Sequence, residues 1–152
     1  PMQWLAPLRH RFARLFEELD IQVKWCLPEY WTHAPSPIQC LTLTRVLEEA
    51  LTNVIKHSRA SQVQVRLEIP DSRELQLQIE DNGTGFDLDS TQINSMGVGM
   101  RSMLARLERL QGTLVIQSRP GRTELRASLP LFGKVQRHTE VQSSVPSPQS
   151  IW

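Results

Sequence analysis

The spacing of apolar residues shifts along the chain between a helical period and strict alternation. Near the N-terminus, apolar residues at helical spacing precede the alternating stretch IQVKWCL. This change of period predicts a first helix followed by a short strand. The apolar positions that define the helix are Leu8, Phe12, Leu15 and Leu19.

A second helix is predicted by signals at its start. Ser36 is a suitable N-cap, Pro37 fits the first helical position, and Gln39 is placed to complete a capping box. The helix should continue to about Ser58. Its apolar arc consists of Leu47, Ala50, Leu51, Val54 and Ile55.

Two hairpins and a third helix complete the pattern. Apolar and polar residues alternate in two pairs of stretches, each pair joined by a turn-forming sequence. The first pair is QVQVRLEI and ELQLQIED, joined by PDSR, and the second is TLVIQS and TELRASLPL, joined by RPGR. Between the hairpins, a third helix closed by Gly112 is marked by Met100, Met103, Leu104, Leu107 and Leu110. Alternating strands give a sheet with one apolar face, which the amphipathic helices can cover. The predicted fold is therefore a two-layer α/β sandwich.

Composition sets the boundaries of this domain and excludes some partners. The chain has 152 residues, enough for one core, and beyond Phe132 its composition shifts to Gln, Ser, Thr, Pro and Val. We predict one domain over residues 1–132 and a disordered or loosely attached tail over residues 133–152. With 17 Lys and Arg against 16 Asp and Glu, charge gives no reason to expect nucleic acid or a membrane surface as a partner.

The cysteines and the hydropathy bear on the compartment. Cys26 and Cys40 have no metal-site or disulfide-framework spacing, which favours buried free thiols in a reducing compartment. No apolar run approaches the roughly 20 residues that span a bilayer, and no signal-peptide pattern is present. We therefore expect a cytoplasmic location.

Candidate chemistry begins on the polar side of the second helix. At about 100° per residue, Glu49, Asn53 and Lys56 fall close together, with His57 at the edge of the group. A solvated helix face is the simpler interpretation of one Glu, one Asn and one Lys on a helix. However, Asn is a poor helix-interior residue, and a purely solvated face would more often use Glu, Lys or Gln.

Two inward polar residues form a second candidate group. The period of two that turns Leu75, Leu77 and Ile79 to the covered face also turns Asp81 there, and Thr123 is placed similarly in the last strand. A buried carboxylate needs a donor, from the protein or from a ligand. Asp81 could instead cap the turn DNGTG, and Thr is an ordinary strand residue. Together they suggest a site for a flat heterocycle with an exocyclic amine.

Glycines complete the candidate set. Gly83 and Gly85 follow Asp81, while Gly97 and Gly99 stand directly before the third helix. A glycine-rich approach to a helix N-terminus can receive an anion such as phosphate, although these glycines could also be simple loop residues. GVGMRS lacks the third glycine of a dinucleotide fingerprint and follows a loop, so a Rossmann site is excluded by context.

Four stretches of the chain resemble, in order, the N, G1 and G2 boxes and the final strand of the histidine-kinase ATP-binding domain. They are EALTNVIKH, DNGTGFD, GVGMRSM and GRTELRASLPL. The wider group is the Bergerat-fold ATPases, which include gyrase, MutL and a heat-shock chaperone. The resemblance covers roughly residues 5–131 and is closest to sensor kinases of the NarX and DesK type. It implies a mixed sheet of about five strands covered on one face by three helices.

The resemblance also implies roles for individual residues. Asn53 matches the Mg²⁺ ligand and Glu49 the acidic residue that orients a metal-bound water or assists the attacking group. Lys56 and His57 match the basic pair near the phosphates. For the base, Asp81 matches the aspartate that accepts from adenine N6, with Thr123 in support. Of the glycines, Gly83 and Gly85 would let the chain pass close to the base, and Gly97 and Gly99 would form a hinge over the phosphates.

The function implied is the ATP-binding catalytic domain of a sensor histidine kinase. It would hold Mg-ATP for transfer of the γ-phosphate to a histidine on a separate dimerisation domain, from which a response regulator would be phosphorylated. His10 is followed by Arg11 instead of an acidic residue, so the chain has no phosphoacceptor box and should phosphorylate itself poorly or not at all. Two alternatives remain open: an anti-sigma-factor serine kinase of the same fold, and a non-catalytic nucleotide-binding module.

Overall fold

The computed structural model describes residues 3–31, 33–70, 73–84 and 97–131. The helices are α1 (Ala6–Glu18), α2 (Pro37–Asn53) and α3 (Gly97–Arg109). The strands are β1 (Gln22–Cys26), β2 (Gln62–Glu68), β3 (Glu74–Asp81), β4 (Thr113–Arg119) and β5 (Arg122–Pro130). A 3₁₀ turn, Gln3–Leu5, leads into α1, and a π-helical turn, Val54–Ser58, extends α2. The predicted order of helix, strand, helix, hairpin, helix and hairpin is confirmed.

The strands form one mixed sheet with the order β1-β2-β3-β5-β4. β1 pairs with β2 in parallel, and the other pairs are antiparallel. Alternation along the strands buries one face under the helices and leaves polar residues on the other. The buried row on the central strands consists of Val63, Val65, Leu67, Leu75, Leu77, Ile79, Leu125, Ala127 and Leu129. The two-layer α/β sandwich is therefore confirmed.

The apolar face of α1 differs from the predicted one. Leu8 and Phe12 are buried as expected, but the row continues to Phe16, which is 0% exposed, while Leu15 and Leu19 are 38% and 51% exposed. Phe16 lies one turn after Phe12 on the same side of the helix, and the two rings are in tilted contact at 6.0 Å. The larger aromatic side chains thus occupy the core, and the leucine pair was wrongly placed there.

The start of α2 follows the prediction. The amide of Gln39 donates to Ser36 Oγ at 3.2 Å, and the amide of Ser36 donates to Gln39 Oε1 at 2.9 Å, which completes the capping box. The Gln39 side-chain amide also donates to the carbonyl of Pro130 at 2.8 Å. One residue thus caps α2 and joins it to the end of β5.

The helix α3 begins earlier than its apolar pattern suggests. Gly97 and Gly99 lie in its first turn, not in the loop before it. At its C-terminus the left-handed residue is Gln111, with φ of 62°, and the Gly112 amide donates to the Leu107 carbonyl at 2.8 Å, as in a Schellman motif. Gly112 serves close packing instead, because a Cβ there would lie 2.5 Å from the Ser128 carbonyl oxygen.

The cysteines, the hydropathy and the tail were the other features for which the sequence led to an expectation. Cys26 and Cys40 are free thiols, but both are half-buried instead of buried. Burial raises the pKa of the Cys40 thiol, which disfavours the reactive thiolate. None of the helices in the described part of the chain has the length and apolar character needed to cross a membrane. The predicted tail, residues 133–152, lies outside the described residues.

Candidate functional site

The site is built around Asp81, the last residue of β3. Alternation along β3 turns this carboxylate to the covered face, where it is only 6% exposed. Its neighbour across the sheet is Thr123 of β5, which is 7% exposed. Both inward orientations were predicted and are confirmed. The sheet therefore carries a polar spot at one end of an otherwise apolar layer.

Hydrogen bonds within the chain satisfy Asp81 only in part. The Gly83 amide donates to Asp81 Oδ1 at 2.8 Å, as expected of an aspartate that shapes a turn. Burial raises the pKa of the Asp81 carboxyl, and the hydrogen bond from the Gly83 amide, together with the nearby Ser58 hydroxyl, partly offsets the rise. A carboxylate has room for further donors beyond these. Asp81 is thus both a turn former and a buried acceptor.

Thr123 also has a polar neighbour. Its hydroxyl lies 2.8 Å from that of Ser118 on β4, and the two residues are directly paired in the sheet. Either hydroxyl can be the donor. The polar spot therefore continues across three adjacent strands through Asp81, Thr123 and Ser118.

Ser58 is a site residue that the sequence interpretation missed. Its carbonyl accepts a hydrogen bond from the Thr84 amide at 2.7 Å, which joins the end of α2 to the loop after β3. A Cβ on Gly83 would overlap this carbonyl, so the close approach requires glycine. One signal was available: Ser58 follows Val54 by four residues and so falls on the buried arc of the helix, where a polar residue is unexpected.

The π-helical turn decides which polar residues of α2 reach the site. Asn53 and His57 line the same cavity as Asp81 and Thr123, whereas Lys56 does not line it. Both Lys56 and His57 are exposed. A π-helical turn has more residues than an α-helical turn, so it rotates the residues after Asn53 relative to the predicted helix. The rotation explains why His57, expected at the edge, and not Lys56 lies beside Asn53.

The cavity is small and mainly apolar. Its volume is about 30 Å³, and Met100 and Ile116 contribute apolar walls opposite the polar residues. Pockets for drug-sized ligands typically measure about 300 Å³ or more. A bound heterocycle therefore requires lining side chains to move, and the unbranched Met100 can do so readily.

A larger groove of about 590 Å³ lies nearby on the polar face of the sheet. Lys24, Gln62 and Arg122 are among its lining residues. Arg122 is already paired there with Glu80 at 2.6 Å. Most side chains that line this groove are polar or charged, whereas most of those that line the cavity between α2, α3 and the sheet are apolar. The cavity is therefore the better candidate for a flat ring.

The predicted glycines have different surroundings. Gly83 packs against Ser58, and Gly99 lies in the first turn of α3 against the carboxylate of Glu49. Gly97 is the first residue of α3. Gly85 lies outside the described residues.

The region that builds this site matches a known family. Residues 39–133 match the histidine kinase-, DNA gyrase B-, and HSP90-like ATPases. The chain belongs to this ATPase family. The match includes α2, α3 and strands β2 to β5, so it contains each of the candidate site residues. ATP is therefore the nucleotide of this domain.

Named relatives of this ATPase domain include two proteins of Bacillus subtilis. The sensor histidine kinase LiaS is 36% identical over 104 residues, which are 68% of this chain and 28% of that protein. The histidine-protein kinase/phosphatase DegS is 31% identical over 121 residues, 77% of this chain and 31% of that protein. The chain thus spans less than a third of the length of each.

A solved structure shows the same fold. The histidine kinase domain of the blue-light activated histidine kinase from Erythrobacter litoralis EL346 superposes with a TM-score of 0.67 at 24% identity. The similarity covers 80% of this chain and 58% of that one. The mixed sheet and its covering helices are therefore arranged as in histidine kinase ATPase domains.

Proposed function

We propose that this chain is the ATP-binding catalytic domain of a sensor histidine kinase, of the NarX and DesK type. It holds Mg-ATP so that a histidine on a dimerisation domain can attack the γ-phosphate, and a response regulator then receives the phosphoryl group. The names of the relatives support this function over a serine kinase of the same fold. The domain works in the cytoplasm, without nucleic acid or direct membrane contact.

The observation that carries the proposal is that Asp81 and Asn53 line one cavity. Asp81 is a buried acceptor at the inner end of the cavity, suited to the exocyclic amine of adenine. The Thr123 hydroxyl beside it supplies a second polar contact to the same edge of the base. Gly83 has no side chain at the point where the backbone leaves Asp81. The family resemblance implies that Gly85, which lies outside the described residues, also lets the chain pass close to the base.

The residues present fit a magnesium ion at the outer end of the cavity. Asn53 offers a hard amide oxygen, and Glu49 lies one turn earlier on the same helix. The described residues contain no cluster of three or more His, Cys, Asp and Glu side chains that could hold a metal. Mg²⁺ usually takes one or two protein ligands and completes its shell with water and phosphates, so Asn53 together with water and phosphate oxygens would suffice. Bound there through Asn53, the ion would neutralise phosphate charge.

Basic and backbone groups would hold the phosphates. His57 lines the mouth of the cavity beside Asn53, and Lys56 can approach from solvent with its flexible side chain. The start of α3, at Gly97 and Gly99, presents amide N–H groups and the positive end of the helix dipole. We propose that these two glycines also form the hinge over the phosphates. Glu49 orients the attacking group, and catalysis is mainly positioning and charge neutralisation.

Titration of the chain with ATP, with and without Mg²⁺, tests the proposal. In Asp81→Asn, an amide replaces one carboxylate oxygen with a donor, and we expect ATP affinity to fall by about tenfold or more. Asp20→Asn makes the same chemical change at an exposed turn and should leave affinity unchanged. Equal affinity of Asp81→Asn and the parent chain would refute the adenine assignment. Failure of Asn53→Ala to reduce the Mg²⁺ dependence would refute the metal assignment.

A further inference from the structure

The carboxylate of Glu49 lies directly against the backbone of Gly99. A Cβ built on Gly99 would overlap Glu49 Oε1 and would come within 2.8 Å of Glu49 Oε2. Such distances do not occur between real side-chain atoms, so this carboxylate position exists only because residue 99 has no side chain. Glu49 itself is half-buried, with α2 packed beside α3.

The contact differs from those of two other glycines in the chain. At Gly83 and Gly112, an added Cβ would meet backbone carbonyl oxygens, which cannot move without distorting the fold. At Gly99 the three nearest atoms all belong to the end of the flexible Glu49 side chain. An added methyl group would therefore displace the Glu49 carboxylate and leave the backbone in place. Gly99 has no positive φ, so alanine is also compatible with its backbone.

The location of the contact gives it a chemical meaning. Gly99 is the third residue of α3, whose first amide groups have no partners within the helix. A carboxylate is stabilised near that end by the helix dipole. The acid on α2 thus lies against the first turn of α3.

We propose that Gly99 is a positioning residue for Glu49: its bare Cα provides the space in which the acid is held for phosphoryl transfer. The inference rests on the proposed function and goes beyond a hinge role for this glycine. Its consequence is that Gly99→Ala impairs transfer by moving Glu49, without removing a contact to the adenine or destabilising the fold.

A double-mutant cycle tests this inference. Gly99→Ala, Glu49→Gln and the double variant are compared with the parent chain, with a phosphoacceptor-histidine domain of the same kinase supplied as substrate. We expect Gly99→Ala to transfer phosphate at least about tenfold more slowly than the parent chain at saturating ATP. The double variant should be no slower than Glu49→Gln, because both changes remove the same positioned carboxylate.

A spectroscopic measurement distinguishes positioning of Glu49 from a purely structural role of Gly99. The side-chain carboxyl ¹³C resonance of Glu49, assigned by its loss in Glu49→Gln, should shift in Gly99→Ala. Glu108→Ala, at the exposed far end of α3, should not shift it and should keep the parent transfer rate. An unchanged Glu49 resonance, or fully additive losses in the double variant, would overturn the inference. Absence of ATP binding by the parent chain would overturn the proposed function instead, and the resonance would still decide the contact.

Discussion

The carbonyl oxygen of Ser58, at the end of α2, accepts a hydrogen bond from the Thr84 amide in the loop after β3. The same carbonyl lies against the Cα of Gly83, and the Gly83 amide in turn donates to Asp81. The loop that bears the base-recognition acid is therefore attached to the helix that bears Asn53. Both halves of the proposed site are held by main-chain contacts at one point.

Gly83→Ala should damage the fold at this point. Because its Cβ would overlap a backbone oxygen, we expect the free energy of unfolding to fall by about 2 kcal/mol, within the range of overpacking substitutions. Urea denaturation measures the change. Gly99→Ala is the matched control, since the atoms nearest to its Cβ belong to the movable Glu49 carboxylate, and it should cost little stability. Equal stability of the two variants would contradict the packing described for Ser58.

The raised pKa of Asp81 predicts how ATP binding depends on pH. The ionised carboxylate accepts from the adenine amine, and burial extends the protonated form to higher pH than for an ordinary aspartate. Affinity should therefore fall as the pH is lowered through the Asp81 pKa, beginning above the range of an exposed aspartate. The ATP affinity can be measured by calorimetry at several pH values across that range. Asp81→Asn serves as the reference, because protonation of ATP affects both proteins equally. Parallel profiles for the two proteins would contradict it.

The same pKa predicts that Asp81 destabilises the unliganded chain. A carboxyl whose pKa is higher in the folded state binds protons preferentially there, so stability declines as the pH rises from the unfolded pKa through the folded pKa. At neutral pH the full loss is present. Asp81→Asn removes the buried charge and should raise the free energy of unfolding by about 1 kcal/mol, while weakening ATP binding. Urea denaturation at neutral pH without nucleotide would show the gain, and a less stable variant would contradict it.

Truncation of two neighbouring residues of α1 should lower stability by very different amounts. Phe16→Ala removes a fully buried ring and should cost about 3–5 kcal/mol. Leu15→Ala removes a side chain that is 38% exposed and should cost about 1 kcal/mol or less. Thermal or urea unfolding of the two variants separates the observed core from the one expected from sequence. A greater loss of stability for Leu15→Ala than for Phe16→Ala would indicate that Leu15, and not Phe16, belongs to the core.

The elements that the sequence predicted well are those governed by local chemistry or a strict period. The Ser36 capping box needs only residues within one turn, and the inward orientation of Asp81 follows from the alternation of β3. Thr123 was placed correctly for the same reason. These features depend little on how distant parts of the chain pack.

The errors arose where tertiary packing selects between similar local patterns. Leu15 and Phe16 both continue the helical spacing of α1, and only the space beneath the helix determines that the aromatic ring is buried. The rotation that separates Lys56 from His57 depends on a π-helical turn that the apolar period does not reveal. Ser58 acquires its role only when β3 ends beside it.

The sheet order has a consequence for synthesis of the protein. β5 is the last strand of the described chain, yet it lies in the sheet interior between β3 and β4. On the ribosome, a nascent chain that has reached only β4 still lacks β5. It therefore lacks Thr123, which pairs with Asp81, and the buried apolar residues of β5. The nucleotide site is therefore incomplete until β5 has been synthesised, so ATP binding cannot assist the earlier stages of folding. ATP binding by a nascent chain would show that translation has passed β5.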